Sequence, residues 1–247
     1  MAEQGDAEAQ ASLGLLYFYG DGVNQSHKKA IYWYEKSANQ GDSSGQFNLG
    51  FMYDRGFGTS INKKKATNLY TKSAEQGNAS AQSNLGMLYL FDSNFKKALY
   101  WLNKSADQDY AEAEYLLGYA YFHGYGIKQS NKKAFKWFTK AAKQGNILAE
   151  SMVAYMYDEG IGVKENNKKA VYWYTRAAEQ GDAGSQNNLA EMYITAEGVS
   201  EDPKKVHYWI KKAAEQGYGK AQLNLGGTYI CLLYTSDAAD DLLCVDL

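Results

Sequence analysis

Three histidines, His27, His123 and His207, are the side chains best suited to proton transfer or metal ligation at neutral pH. They occupy unrelated positions and form no His-x-x-x-His pair, so neither a repeated catalytic site nor a metal centre follows. Glu75, Glu179 and Glu215 recur in a common context. A carboxylate returning at such intervals marks a solvated helix face rather than an acid/base dyad. The elements Gly20-Asp21-Gly22, Gly56-Phe57-Gly58, Gly124-Tyr125-Gly126 and Gly160-Ile161-Gly162 would cradle a phosphate only behind a strand, and none precedes them. No unique site gathers serine with lysine, histidine or glutamate, the set a hydrolase would use. The sequence offers no catalytic residue, no metal ligand and no cofactor site. What does recur is a lysine pair and a row of apolar side chains, and both depend on the elements that carry them.

Those elements repeat. Gly5, Gly41, Gly77, Asp109, Gly145, Gly181 and Gly217 each follow a glutamine, at intervals of 36, 36, 32, 36, 36 and 36 residues. Counted from each marker, the ninth residue is small (Gly14, Gly50, Gly86, Gly118, Ala154, Ala190, Gly226). The twelfth is tyrosine, from Tyr17 through Tyr53, Tyr89, Tyr121, Tyr157 and Tyr193 to Tyr229. Self-similarity at such a period identifies a repeat architecture before any local propensity is weighed.

Within a unit the apolar spacing is helical twice. Ala9, Leu13, Leu16 and Tyr17 share one face, as do Ala30, Trp33, Tyr34, Ser37 and Ala38. Each unit is therefore a helix pair. The glycines of the link permit the left-handed conformation that ends a helix. Ser26, Asn62, Asn94, Ser130, Asn166 and Asp202 stand where the second helix begins, all favoured N-caps, and Pro203 follows the last at the first helical position. Repeat three lacks four residues between Tyr89 and Asn94, which predicts a shorter link without the paired-glycine bend.

Composition agrees with an all-α chain: proline is limited to Pro203 and strand-like Val/Ile/Thr runs are absent. A lone helix pair cannot bury its apolar faces, whereas a stack can. Residues 1–230 are read as one elongated domain of about six repeats plus the first helix of a seventh. Met1-Ala2-Glu3-Gln4-Gly5 matches the end of a second helix, so the chain is read as truncated at both ends. No apolar run reaches the roughly 18 to 20 residues of a membrane span.

The pattern Ala-x-x-x-Leu-Gly-x-x-Tyr, Gly-x-Gly-Val, Lys-Ala-x-x-Trp-Tyr-x-x-Ala-Ala-x-Gln-Gly runs from Ala149 to Gly181, with Val153-Ala154 in place of Leu-Gly. It resembles the Sel-1-like repeat, a relative of the tetratricopeptide repeat, and the resemblance extends from about residue 1 to Ile230. It implies a right-handed α-solenoid of stacked antiparallel helix pairs that serves as a protein-interaction adaptor or scaffold. The expected partner is a protein or peptide, with no nucleic acid and no membrane insertion by this stretch. A cysteine-rich branch of the family carries a disulfide in each repeat and is linked to penicillin binding. That branch supplies the alternative of a cell-wall-active hydrolase, but these repeats contain no cysteine. A further alternative is a spacer between lost catalytic or membrane segments.

Cys231 and Cys244 lie in the tail, where the repeat stops. Residues 231–247 resemble the translation of a sequencing adapter and are read as non-native; a divergent capping helix is the other reading. The formal net charge is −2, from 26 basic and 28 acidic residues. Asp237, Asp240, Asp241 and Asp246 all belong to the tail, and without them the balance is 26 against 24. Bulk charge thus favours no nucleic-acid or membrane partner.

Lysine pairs follow every N-cap: Lys28-Lys29, Lys64-Lys65, Lys96-Lys97, Lys132-Lys133, Lys168-Lys169 and Lys204-Lys205. Cations there oppose the helix dipole at about 0.3 to 1 kcal/mol each. Either an acidic partner meets this ladder, or one lysine of each pair contacts a neighbouring repeat. The second feature is the face of each first helix opposite its core stripe, at about 100° per residue. It carries Leu15, Phe18, Phe47, Phe51, Met87, Leu90, Tyr115, Tyr119, Phe122, Tyr155 and Ile194. By similarity to tetratricopeptide repeats these positions line the concave groove that receives peptides, and ligand anchors there would be exposed. Contact between adjacent first helices is the competing reading.

Overall fold

A helix leaves its first amides without intrahelical partners, and in this chain short polar side chains take them up. The computed structural model describes residues 1–226. After a 3-10 turn at Ala2–Gln4, twelve helices follow: α1 (Ala7–Tyr19), α2 (His27–Asn39), α3 (Ser43–Arg55), α4 (Lys63–Glu75), α5 (Ala79–Phe91), α6 (Phe95–Ala106), α7 (Ala111–His123), α8 (Asn131–Lys143), α9 (Ile147–Asp158), α10 (Asn167–Glu179), α11 (Ala183–Thr195) and α12 (Pro203–Glu215). Residues 219–226 are again helical, and no strand occurs among the described residues. All six expected caps of the second helices accept a backbone N–H of their first turn. Asp6, Asp42, Asn78, Asn146 and Asp182 do the same for first helices. The tail, including Cys231 and Cys244, lies outside the described residues.

The marker column joins one repeat to the next. Its glycines have φ between +81° and +99°, and Asp109 takes the same left-handed region at +58°. Inside each repeat the tyrosine carbonyl closes the link: the N–H groups of Ser26, Asn62, Asn94, Ser130 and Asn166 donate to the carbonyls of Tyr17, Tyr53, Tyr89, Tyr121 and Tyr157 at 2.8 to 2.9 Å. Repeat three keeps this bond although its link shrinks to residues 92–94. Ser93, at φ +56°, makes the bend there in place of the glycine pair.

The two glycines of the longer links do different work. The first ends the helix; in repeat six Ala196 holds that position at φ +56°. The second also brings the link against the second helix of the preceding repeat: a Cβ on Gly162 would stand 2.5 Å from the carbonyl carbon and oxygen of Asn131, the first residue of α8. Gly58 approaches His27 in the same way. Since Ala196 bears a Cβ where its counterparts have none, Ala196→Gly should stabilise the chain by about 0.5 to 1 kcal/mol. A thermal melt should rise by about 2 to 4 °C per kcal/mol, and an unchanged or lower midpoint would contradict the assignment.

The chain packs as two compact units, Met1–Leu117 and residues from Gly118 onward, with the boundary inside α7. In the first unit α1 packs on α2, α3 on α4 and α5 on α6, and α2 and α4 each pack on the next first helix. In the second, α9 pairs with α10 and α11 with α12, while α8 and α10 contact the helix that follows. The small column exists because a large second-helix side chain lies directly on it. A Cβ on Gly14 would meet the Tyr34 ring at 2.6 Å, and one on Gly118 would meet Phe138 at 2.6 Å. Tyr34, Tyr70, Leu102, Phe138, Tyr174 and Ile210 are the large side chains that the second helices bury fully. The tryptophan column, expected on the same face, is half-buried at Trp33, Trp101, Trp137 and Trp173. It sits about 100° further round the helix, at the rim, where Trp33 meets the exposed Tyr32 edge-on at 5.1 Å.

An amide ladder also ties the two helices of each repeat together. The glutamine before each marker donates to a buried side chain on the first helix of its own repeat: Gln40 to Gln10, Gln76 to Gln46 and Gln108 to Gln82, each at 2.8 Å, and Gln216 to Gln186 at 2.9 Å. In repeat five the acceptor is a carboxylate. Glu150, fully buried, accepts from Gln180 at 2.6 Å and lies 2.7 Å from Arg176 Nη2. Burial raises its pKa above the ordinary carboxylate value, and Arg176 and Gln180 only partly oppose that. The folded state therefore holds this proton more tightly than the unfolded chain. Its stability contribution is full below the unfolded value and is lost as pH rises through the folded one. Glu150→Gln abolishes that dependence. From about pH 4 toward neutrality, the midpoint of the variant should rise relative to the parent. Parallel melting-versus-pH curves would show that Glu150 does not titrate in this way.

Candidate functional site

In the first unit the side chains of the first-helix row meet between α1 and α3. Leu15, Phe18, Phe47 and Phe51 line a cleft of about 230 Å³, with Tyr34 and Met52 at its floor. Leu15 is 43 % exposed and Tyr19, beside it, 69 %. The phenylalanines are half-buried because they pack on one another and on the link. Phe18 lies 6.2 Å from Phe51 and 5.5 Å from Phe57, while His27 completes the cluster at 5.3 Å from Phe18 and from Phe57. Phe47 leans on the buried Tyr70 at 5.8 Å. Met87 and Leu90, on α5, and Tyr115, on α7, are half-buried too.

In the second unit the Tyr119 ring lies tilted against His123 at 4.3 Å and Tyr125 at 5.9 Å, and Phe122 packs on Phe138 at 6.4 Å. Tyr155 on α9 and Ile194 on α11 are each 37 % exposed. Of the expected row, then, Leu15, Tyr155 and Ile194 are open to solvent, and the others present part of their surface. The histidines serve as ring partners here: His27 and His123 belong to aromatic clusters. Among the described residues no group of three or more His, Cys, Asp or Glu could hold a metal ion.

The lysine pairs divide their roles. The second lysine of every pair lies over the ring of the invariant tyrosine of its own repeat: Lys29 over Tyr17, Lys65 over Tyr53, Lys97 over Tyr89, Lys133 over Tyr121, Lys169 over Tyr157 and Lys205 over Tyr193, at 4.7 to 5.3 Å. A cation held on a π face gains about 0.5 to 1 kcal/mol at an exposed site, enough to offset its position at the positive end of a helix. The contact is within a repeat, not with its neighbour. The first lysines, from Lys28 to Lys204, are exposed.

The Sel1 repeat family model matches six consecutive segments, residues 7–42, 43–78, 79–110, 111–146, 147–182 and 183–218. The chain belongs to the Sel1 repeat family. Its similarity to solved Sel1-type structures is of the same kind. It is 34 % identical, with a TM-score of 0.79, to c5321, a protective antigen of uropathogenic Escherichia coli strains displaying an SLR fold. That match covers 91 % of this chain and 49 % of the antigen, so the chain spans about half the antigen's length. A Sel1 repeat protein from Oxalobacter formigenes is 31 % identical with a TM-score of 0.78, covering 85 % of this chain and 86 % of that one. A Sel1 repeat protein from Klebsiella pneumoniae subsp. pneumoniae shares the fold at 16 % identity and a TM-score of 0.55, over 79 % and 97 % of the two chains. No curated protein sequence matches the chain.

As a Sel1 repeat protein it has the all-α solenoid class of fold, related to the tetratricopeptide repeat. Sel1 repeats generally mediate contacts between proteins, and proteins built from them are typically non-catalytic scaffolds. No helix among the described residues is long and apolar enough to cross a membrane. One element of this Sel1 repeat chain that the sequence reading missed is the Gln/Glu ladder. Its signal was available: Gln10, Gln46, Gln82, Glu114, Glu150 and Gln186 recur five residues after each marker, on the otherwise apolar face.

Proposed function

We propose that this Sel1 repeat protein is a non-catalytic adaptor that seats a peptide or helix of a protein partner on the row of first-helix side chains. The observation that supports the reading best is the α1/α3 cleft, where a small apolar floor is rimmed by the exposed Leu15 and Tyr19. Its volume, about 230 Å³, is below that of typical cofactor or drug-sized sites and suits one inserted side chain. Anchor residues that fill such pockets carry most of the energy of an interface. Met87, Leu90 and Tyr115 continue the row within the first unit and would contact the same ligand further along, while Tyr119, Phe122 and Tyr155 carry the corresponding positions of the second unit. The test is selection of displayed peptides on the immobilised chain, followed by Leu15→Asp. Selected peptides should lose binding while the fold persists; peptides indifferent to Leu15, or no peptides at all, would overturn the reading.

A further inference from the structure

The six second helices follow one pattern, and α8 departs from it. Lys136 stands where the other repeats place Tyr32, Asn68, Tyr100, Tyr172 and Tyr208, and Lys143 where they place Asn39, Glu75, Asp107, Glu179 and Glu215. With Lys132, Lys133 and Lys140, α8 holds five lysines and no carboxylate. Its neighbours in the pattern carry three or four basic residues, and α2, α4, α10 and α12 include a glutamate. Lys132, Lys136 and Lys140 succeed one another at four-residue spacing, where like charges on one helix face repel. Among the described residues no carboxylate lies within ion-pair distance of Lys132, Lys136 or Lys143, and all three are exposed.

This charge borders a cleft. A depression of about 1060 Å³, wholly within the second unit, runs along α8 to the α9–α10 link, and its apolar wall is Phe135, Trp137 and Val163. From this geometry we infer a second docking surface, separate from the first-helix row, that takes an acidic peptide segment bearing an aliphatic or aromatic residue: the lysines meet its carboxylates and the apolar wall meets its side chain. Charge complementarity selects the acidic partner, and the apolar wall selects a peptide over a phosphate polymer. Two further features disfavour a nucleic acid. Lys133 covers the Tyr121 ring at 5.3 Å and Lys140 the Trp137 ring at 5.7 Å, so ring faces that bases would stack on are already occupied. No arginine lines the cleft, so the bidentate fork that phosphate recognition favours is missing.

The experiment is fluorescence anisotropy with a labelled peptide that alternates glutamate and leucine, on the full chain. The partner variants are Lys136→Tyr with Lys143→Glu, which restore residues used by other repeats, and a control, Lys28→Gln with Lys204→Glu, which changes the net charge by the same amount on α2 and α12. Binding should be detected at low salt, weaken as salt rises, fall about tenfold or more in the α8 variant and stay within about twofold in the control. A circular-dichroism melt confirms that both variants fold. Absence of binding by the parent, equal loss in the two variants, or tighter binding of an oligothymidylate or of polyglutamate without leucine would each overturn the proposal.

Discussion

Replacing Gly162 by alanine should destabilise the chain by about 3 kcal/mol, while the same change at Gly160 should cost about 1 kcal/mol. The two glycines lie two residues apart in one link, with nearly equal φ of +70° and +66°. A side chain in the left-handed region costs each of them about the same, roughly 1 kcal/mol, and Ala196 shows that a repeat tolerates that cost at the first position. What separates them is the neighbour. The nearest atom to a Cβ at Gly160 is Glu165 Cβ at 3.5 Å, an ordinary contact. At Gly162 it is the Asn131 backbone at 2.5 Å, fixed by the first turn of α8 and its Ser130 cap. That backbone cannot rotate away as a side chain would, so the link must lift off α8, and overpacking of this kind adds about 1 to 3 kcal/mol. At 2 to 4 °C per kcal/mol, the Gly162 variant should melt roughly 6 to 12 °C below the parent. Equal melting of the two variants would mean that the link does not bear on α8.

That asymmetry marks what could be read from the sequence and what could not. The period, the helix pairs, the six caps and the short link of repeat three were legible because each rests on local backbone chemistry: a hydroxyl, amide or carboxylate reaching three residues on, or a missing four-residue bend. The spacing of Gly-x-Gly was equally visible, but only its helix-ending role followed from it. The demand that the second glycine lie against Asn131 or His27 comes from the adjacent repeat, and no local pattern encodes it. Depth of burial escaped for the same reason. Trp137 and Phe138 are consecutive apolar residues, and periodicity assigns both to one broad stripe. Only the position of Gly118 opposite Phe138 decides which ring is sealed and which stays at the rim. The second lysines were seen as an electrostatic problem before their solution was visible, since the Tyr17 to Lys29 pairing depends on how the link folds back.

The candidate groove raises the same difficulty, because residues three and four apart on a first helix serve lateral packing and exposure together. Phe51 lies 5.8 Å from Phe57 and 6.2 Å from Phe18, so it helps hold α3, the link and α1 in place. Leu15 borders the same cleft with 43 % of its surface in solvent. Phe51→Ala should therefore lower stability and peptide binding together, by about 2 to 3 kcal/mol in stability for a half-buried ring, somewhat under the 3 to 5 of a sealed one. Leu15→Asp should leave the melting midpoint within a few degrees, since an exposed helical position usually changes stability by about 0.5 kcal/mol or less. Yet it should weaken a selected peptide by about 2 kcal/mol, roughly thirtyfold, because a carboxylate would face the apolar residue entering the cleft. The dissociation of the two variants is the decisive result. If Leu15→Asp unfolds the chain as much as Phe51→Ala does, the α1/α3 contact is core and the row is packing alone. If both variants fold and bind unchanged, the partner sits elsewhere on the repeats.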